Sequence, residues 1–116
     1  VRTVARDAHR RTREAMLQSL ALRDELSSLH NRRGFVELAE QALRVAQREG
    51  RGVTLLFADL DGLKAVNDGW GHAAGDRLIA ESAGLLRATF READVLARLG
   101  GDEFAVLLPC LLYTSD

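Results

Sequence analysis

Four stretches of the chain carry a hydrophobic pattern strong enough to predict elements. Phe35, Leu38, Ala39, Ala42, Leu43 and Ala46 recur at three- and four-residue intervals, the spacing of one helix face. They predict a helix over about residues 33–49, with Asn31 as its N-cap and Gly50 and Gly52 ending it. Val53-Thr54-Leu55-Leu56-Phe57-Ala58 is short and almost continuously apolar, which predicts a strand buried on both faces. Leu78, Ile79, Ala83, Leu85, Leu86 and Phe90 predict a helix over about residues 75–90. Finally, Val95-Leu96-Ala97 and Phe104-Ala105-Val106-Leu107-Leu108 flank the turn-forming Gly100-Gly101, the pattern of a β-hairpin.

The rest of the chain is less rhythmic. Residues 1–26 are rich in Ala, Leu, Arg and Glu and contain no Gly or Pro, which predicts one helix. Val1, Ala8, Ala15, Leu22 and Leu29 fall seven apart, but the companion positions Val4, Arg11, Gln18 and Glu25 are mostly polar. That leaves a coiled-coil seam and a plain amphipathic linker helix both open. Ser27-Ser28 breaks the pattern. Between Asp59 and Asp76 the chain holds five Asp or Asn residues and four glycines, too polar and Gly-rich for one continuous helix. The order helix, helix, strand, loop, helix, strand, strand predicts an α+β fold with helices covering a sheet that is at least partly antiparallel. Three strands with one helix-covered face make a thin core, so the chain reads as incomplete at its C-terminus.

Composition narrows the function classes. With 116 residues and no repeats, one domain is expected. A net charge of −1 gives no sign of a polyanion partner, and the N-terminal arginines are interrupted by Asp7 and Glu14, so no nucleic-acid surface is expected. No apolar run approaches the roughly 18 residues of a membrane span, and the start carries no signal-peptide pattern. Cys110 is the only cysteine, which excludes an internal disulfide and fits a reducing compartment.

Candidate chemistry lies at two acidic clusters. Asp102 and Glu103 are adjacent at the hairpin turn, and Asp59 stands where the first strand ends, with Asp61 two residues on. Of Asp59 and Asp61, only one is expected to face a site. Neighbouring carboxylates repel unless a cation neutralises them. A hard cation such as Mg²⁺ is commonly held by one or two carboxylates plus substrate phosphates and water. Asp59 and Asp102 are the natural pair. Lys64 is placed to meet a phosphate, and Asn67, Asp68 and Asp76 carry groups that can read a base edge. Each feature alone has an ordinary explanation: a solvated hairpin tip, a surface lysine, an Asn-Asp-Gly turn, a His72 that bridges loop and core. Their joint occurrence in this order is what points to a site.

In that order the chain resembles the GGDEF domains of the diguanylate cyclase family. The pieces that match are Asp24-Glu25-Leu26 through Leu29, Asn31-Arg32-Arg33 with Phe35, Asp59-Leu60-Asp61 with Lys64, Asn67-Asp68, Gly71-His72, Gly75-Asp76, and Arg98 with Gly100-Gly101-Asp102-Glu103-Phe104. The resemblance implies a palm-type, nucleotidyl-cyclase-like sheet. It implies condensation of two GTP molecules into cyclic di-GMP with loss of pyrophosphate, each domain of a homodimer holding one GTP. It implies two Mg²⁺ or Mn²⁺ ions per GTP site, held by Asp59, Asp102 and the Leu60 carbonyl. Gly62, Leu63 and Lys64 would hold the terminal phosphates, Asn67 and Asp76 the guanine edge, and Gly100 and Gly101 would let substrate approach the backbone. Lys64, Asp102 and Glu103 are the implied catalytic residues, Glu103 aiding catalysis or the second metal. Arg91-Glu92-Ala93-Asp94 matches the family's Arg-x-x-Asp product site, which implies feedback by cyclic di-GMP through Arg91 and Asp94.

Two departures stand out. Ser27-Ser28 replaces the family's Thr-Gly, which strains the turn if a positive φ is needed there. The family domain also continues beyond Pro109, whereas Cys110-Leu111-Leu112-Tyr113-Thr114-Ser115-Asp116 does not resemble it and reads as a non-native tail matching a translated sequencing adapter. The expected organisation is therefore a signalling helix at residues 1–26, a partial GGDEF domain at 27–109 and the tail at 110–116. The helix would relay a signal from a sensor domain in the parent protein. A cytoplasmic location is expected, with room for a membrane anchor elsewhere in the parent, and little turnover from the truncated piece. Two rival readings are a non-catalytic module that binds GTP or cyclic di-GMP and a structural dimerisation unit.

Overall fold

The computed structural model describes Arg13 and residues 21–109. Most of the expected N-terminal helix and the tail 110–116 lie outside the described residues; the described part of that helix ends at Leu22, short of the expected residue 26, and of the heptad positions Glu25 lies in a turn and Leu29 in the core. The elements run α1 (Arg32–Glu49), β1 (Val53–Asp59), α2 (Leu63–Trp70), α3 (His72–Thr89), β2 (Val95–Gly100) and β3 (Glu103–Pro109). β3 is central, in the order β1-β3-β2, and both pairings are antiparallel. None of the described helices is long and apolar enough to cross a membrane.

α1 begins and ends as its sequence predicts. The Asn31 side chain accepts a hydrogen bond from the Gly34 amide at 2.9 Å, and Gly50 closes the helix at φ 68°, a left-handed conformation that glycine adopts without strain. Phe35 and Ala46 are buried, but Leu43 is 50% exposed and lies off the packed face. Gly34 is needed for a different reason: a Cβ there would run into the Leu22 carbonyl, because the incoming chain lies directly against α1.

The core has two halves, one on each face of the sheet. Phe35 packs with Ala97, Ala105 and Leu107 under α1. On the other face Leu63, Ile79 and Ala83 of α2 and α3 pack with Leu29 and Phe104. Helices therefore cover both faces, not one as the thin-core reading expected. The periodicity of α1 and α3 does not tell which face of the sheet each covers, and the segment that forms α2 reads as a loop. Its eight residues, Leu63–Trp70, follow a glycine and contain another, which masked the i, i+3 pair Leu63 and Val66.

β1 also departs from its sequence. A strand buried on both faces was expected, yet Leu55, Leu56 and Phe57 are 46%, 40% and 68% exposed. β1 is paired only with β3, and α1 packs mainly on β2. Similarly Leu85, expected to face inward from α3, is 69% exposed. It sits on the outer side of the helix from the buried Ile79 and Ala83.

The outer edge of β2 is occupied by the entering chain. His30 donates its amide to the Leu96 carbonyl at 3.2 Å and accepts from the Arg98 amide at 2.9 Å. The loop before it is tightly bonded. Asp24 accepts from the Ser27 amide at 2.8 Å and from the Ser27 hydroxyl at 2.7 Å. Arg87, from α3, donates to the Ser27 carbonyl at 2.8 Å. Within this loop Ser28 has φ 65°, so the strain expected of a serine in the family's glycine position is present.

Two outcomes follow. A side chain in the left-handed region costs about 1–2 kcal/mol, partly offset by the extra unfolded-state freedom of glycine, about 0.5–1 kcal/mol. Ser28→Gly is therefore expected to stabilise the fold by about 0.5–1 kcal/mol, read from urea midpoints at unchanged slope. Acid will act on the same loop. Burial, with the nearby Arg23 charge, lowers the His30 pKa below 6.5. The unfolded chain thus takes up a proton first, and stability falls as pH drops through and below that value. Partial burial raises the Asp24 carboxyl, but the Ser27 hydrogen bonds and Arg98 outweigh it, for a net lowering. Its contribution is held above the ordinary carboxylate range and lost as pH falls below it. Urea titrations from pH 7.5 to 5 should show a decline that His30→Gln flattens.

Candidate functional site

The antiparallel register brings the two acidic clusters to one end of the sheet. Asp59 is the partner of Glu103 across β1 and β3. The Leu60 amide donates to the Asp102 carbonyl at 2.9 Å, so the chain leaving β1 is bonded to the hairpin turn. Like charges directly opposite on a sheet are unfavourable, and here an Asp faces a Glu with a further Asp adjacent to it in sequence. Asp59 and Glu103 are exposed and Asp102 is half-buried, so water can reach all three. Asp61 lies in the turn after β1, where strand alternation no longer sets its direction.

Among the described residues no three His, Cys, Asp or Glu side chains close on a point that could hold a metal alone. The donors here are hard oxygens from few residues. They suit Mg²⁺ or Mn²⁺, which complete their shells with water and phosphate oxygens. The donor chemistry therefore fits the implied metal as a site shared with a ligand.

The hairpin turn needs its glycines. Gly101 has φ 45°, and the register slips between Arg98 and Gly100, a bulge that frees the turn from strict pairing. The Arg98 Nε donates to the Gly101 carbonyl at 3.0 Å, bracing the turn.

Gly62, Leu63 and Lys64 form the start of α2. Gly62 is at φ 83° and provides no side-chain cap, so the first amides of the helix point outward without intrahelical acceptors. Such a helix start favours an anion. Lys64 is exposed beside it, whereas the Leu63 side chain is buried in the core. Leu63 can thus contribute only its backbone amide. The sequence reading placed Lys64 in a polar loop and missed the helix start; a glycine followed by Leu63 and Val66 at helical spacing was the available signal.

Asn67 is set by α3. A Cβ on Gly75 would occupy the position of the Asn67 carboxamide, so the close approach of α2 and α3 depends on that glycine. Asp76 follows it on α3 and is exposed. The two base-reading candidates therefore come from adjacent helices that cross at Gly75.

Arg91 and Asp94 lie away from these groups, between α3 and β2. They form an ion pair of 3.1 Å in which the Asp94 side chain is 2% exposed and that of Arg91 50%. Asp94 also accepts from the Arg91 amide at 2.8 Å, and Arg91 reaches the Pro109 carbonyl at 3.2 Å. Asp94 is thus largely committed to its own turn. The half-exposed Arg91 guanidinium borders a cavity of about 420 Å³, shared with Arg23, His30, Arg87 and Phe90.

The pattern of this chain recurs in known proteins. A family model for the diguanylate cyclase GGDEF domain matches residues 21–113. The bifunctional diguanylate cyclase/cyclic di-GMP phosphodiesterase MucR of Pseudomonas aeruginosa is 50% identical over 92 residues, which are 79% of this chain and 13% of that protein. Diguanylate cyclase TpbB of the same species is 45% identical over 102 residues, 88% of this chain and 23% of that protein. The chain thus spans less than a quarter of either relative. Among solved structures, the coiled coil and GGDEF domain of DgcB from Caulobacter crescentus, in complex with cyclic di-GMP, has a TM-score of 0.87 at 30% identity, covering 92% of this chain and 56% of that one. The isolated GGDEF domain of TpbB has a TM-score of 0.73 at 46% identity, covering 78% of this chain and 53% of that one. With its acidic hairpin turn bonded to the end of β1 and its sequence matched across residues 21–113, the chain belongs to the GGDEF domain family.

Proposed function

We propose that the protein carrying this chain is a diguanylate cyclase that joins two GTP molecules into cyclic di-GMP and releases two pyrophosphates. The observation that carries this reading is the bonding of the Asp102 turn to Leu60, with Asp59 opposite Glu103. It places carboxylates from two strands at one end of the sheet, beside the open start of α2.

In this reading Asp59, Asp102 and the Leu60 carbonyl hold Mg²⁺ or Mn²⁺, two ions per GTP site. When bound, the metal would offset phosphate charge and favour loss of the ribose 3′-hydroxyl proton. Each of the chain's own groups then has a distinct task. The amides at Gly62 and Leu63 and the Lys64 ammonium bind the terminal phosphates. Asn67 and Asp76 accept and donate at the guanine edge, where guanine offers N1–H and a 2-amino group side by side; adenine has neither, so a carboxylate there loses its paired donors. Gly100 and Gly101, having no side chains, let substrate approach the turn backbone, and Glu103 aids catalysis or the second metal. Because the site uses one face of one domain, the second GTP comes from a second copy, and juxtaposition of the two copies is the main source of rate. A sensor elsewhere in the parent chain would act by controlling that meeting.

A second role, product feedback, is supported by the cavity at Arg91. Its guanidinium keeps donors free for phosphate or guanine, while Asp94 holds the turn that presents it. DgcB of Caulobacter crescentus was crystallised with cyclic di-GMP.

The decisive assay uses the protein at the natural length of its gene, with GTP and Mg²⁺. Cyclic di-GMP should form and should fall at least about 100-fold in Asp102→Ala, the loss typical of removing a group that stabilises transition-state charge. Saturable nucleotide binding without product, in an otherwise folded wild type, would instead establish a binding module. The Asn67 assignment has its own test. Gly75→Ala should push the Asn67 carboxamide out of place and raise the KM for GTP more than it lowers kcat, because a base contact made equally in ground and transition states acts on binding.

A further inference from the structure

Arg98 is the most heavily bonded side chain near the acidic turn, and the function proposed above gives it no role. Its Nη1 donates to the Asp24 Oδ1 at 2.9 Å, and the two side chains are only 16% and 18% exposed. Its Nε donates to the Gly101 carbonyl at 3.0 Å. Its backbone amide donates to His30 at 2.9 Å. One residue of β2 therefore bonds the hairpin turn on one side and the entering loop on the other.

The loop end of this connection is firm. Asp24 divides its oxygens, Oδ2 taking both Ser27 donors and Oδ1 taking Arg98. Its amide donates to Leu29 at 2.8 Å, and Leu29 is buried in the core. Immediately upstream, the Asn31 amide and side chain hold the carbonyls of Leu22 and Ala21 at 3.0 and 2.7 Å. The turn end is where Asp102 sits, one residue from Gly101 and bonded through its carbonyl to Leu60. A partly shielded, charge-assisted bond is worth more than an exposed ion pair. A lysine could not replace it, since a single ammonium lacks the planar fork that spans two acceptors on different segments.

We propose that Arg98 is a positioning residue: anchored on Asp24, it fixes the Gly101 carbonyl and so sets where the turn presents Asp102 and Glu103 to the metal. This rests on the reading of Asp102 as a metal ligand. Without the anchor, the guanidinium loses its fixed direction and the turn gains freedom, while the sheet pairing and both core halves stay intact. The same geometry makes the turn sensitive to where the chain enters the domain, because Asp24 lies only two residues beyond the Leu22 carbonyl that Asn31 holds.

The test compares wild type, Arg98→Lys, Arg98→Ala, Asp24→Asn and the Arg98→Ala/Asp24→Asn double variant, all at natural length. Two quantities are read: amide hydrogen exchange at residues 100–103, and the Mg²⁺ concentration giving half-maximal activity at saturating GTP. Exchange at the turn should rise about tenfold in Arg98→Ala and Asp24→Asn, the opening expected on losing a charge-assisted bond of this kind. The half-saturating Mg²⁺ should rise several-fold, the KM for GTP should change little, and exchange within residues 35–46 should stay as in wild type. Arg98→Lys should resemble Arg98→Ala, and the double variant should be no worse than Arg98→Ala alone. A merely structural role would instead lower the melting temperature and raise exchange throughout, with the metal requirement unchanged, and that result overturns the proposal. So does a turn whose exchange is unaltered by Asp24→Asn. A wild type that makes no cyclic di-GMP would refute the enzyme reading, while the exchange measurement would still decide whether Arg98 holds the turn.

Discussion

β3 imposes the main constraint on this fold. Phe104, Ala105, Val106 and Leu107 are consecutive and each no more than 3% exposed. Consecutive residues of a strand point to opposite faces, so both faces of the sheet must be covered. α1 covers one, and α2 with α3 covers the other. A strand buried on both faces also needs a hydrogen-bonding neighbour on each edge, since unpaired buried amides are costly. β1 and β2 fill those edges. Small residues make the arrangement fit. Ala97 and Ala105 are fully buried partners across β2 and β3, and their lack of bulk lets Phe35 reach the sheet.

The acidic site is a consequence of that arrangement. Two antiparallel pairings on one central strand bring the end of β1 and the β2–β3 turn to the same end of the sheet. Asp59, Leu60, Asp102 and Glu103 then meet without any loop having to search for the others. The helix that follows β1 starts within four residues of Asp59, so its unsatisfied amides open near the same end. The core places carboxylates and amide donors at the ends of regular elements, with the positive-φ glycines Gly62, Gly100 and Gly101 at the turns between them.

Much of this was legible in the chain itself, element by element. The α1 cap at Asn31, its glycine stop, the Phe35 and Ala46 face and the hairpin around Gly100-Gly101 all follow from local rules, and local rules suffice where caps and turns decide. Where tertiary context decides, the sequence misled. The apolar run of β1 reads as buried on both faces, whereas within residues 21–109 only its β3 edge is paired and Leu55, Leu56 and Phe57 are exposed. The segment from Asp59 to Asp76 reads as a loop because glycines obscure the short α2. For the site, the residue types were legible and the pairing of Asp59 with Glu103 was not, since it depends on strand register. The burial of the Leu63 side chain likewise depends on which face of α2 meets Phe104. The bond between Asp24 and Arg98 spans 74 positions, and no periodicity joins residues so far apart.

The loop at Asp24–His30 shows how such a fold tolerates a poor local choice. Ser28 occupies a conformation that disfavours a side chain, and its amide donates to the Asp24 carbonyl at 2.8 Å. What keeps it there is its surroundings. Arg23 holds the Ser28 carbonyl at 3.1 Å and Arg87 the Ser27 carbonyl at 2.8 Å. The Ser27 hydroxyl accepts from the Leu29 amide at 3.2 Å while donating to Asp24. Strain of about 1–3 kcal/mol persists only where neighbours over-determine the backbone. Here the neighbours are also the groups that seat the chain on β2 and meet Arg98. The path of the loop is therefore fixed by its contacts with α3 and β2, and the serine adopts the left-handed turn that this path requires.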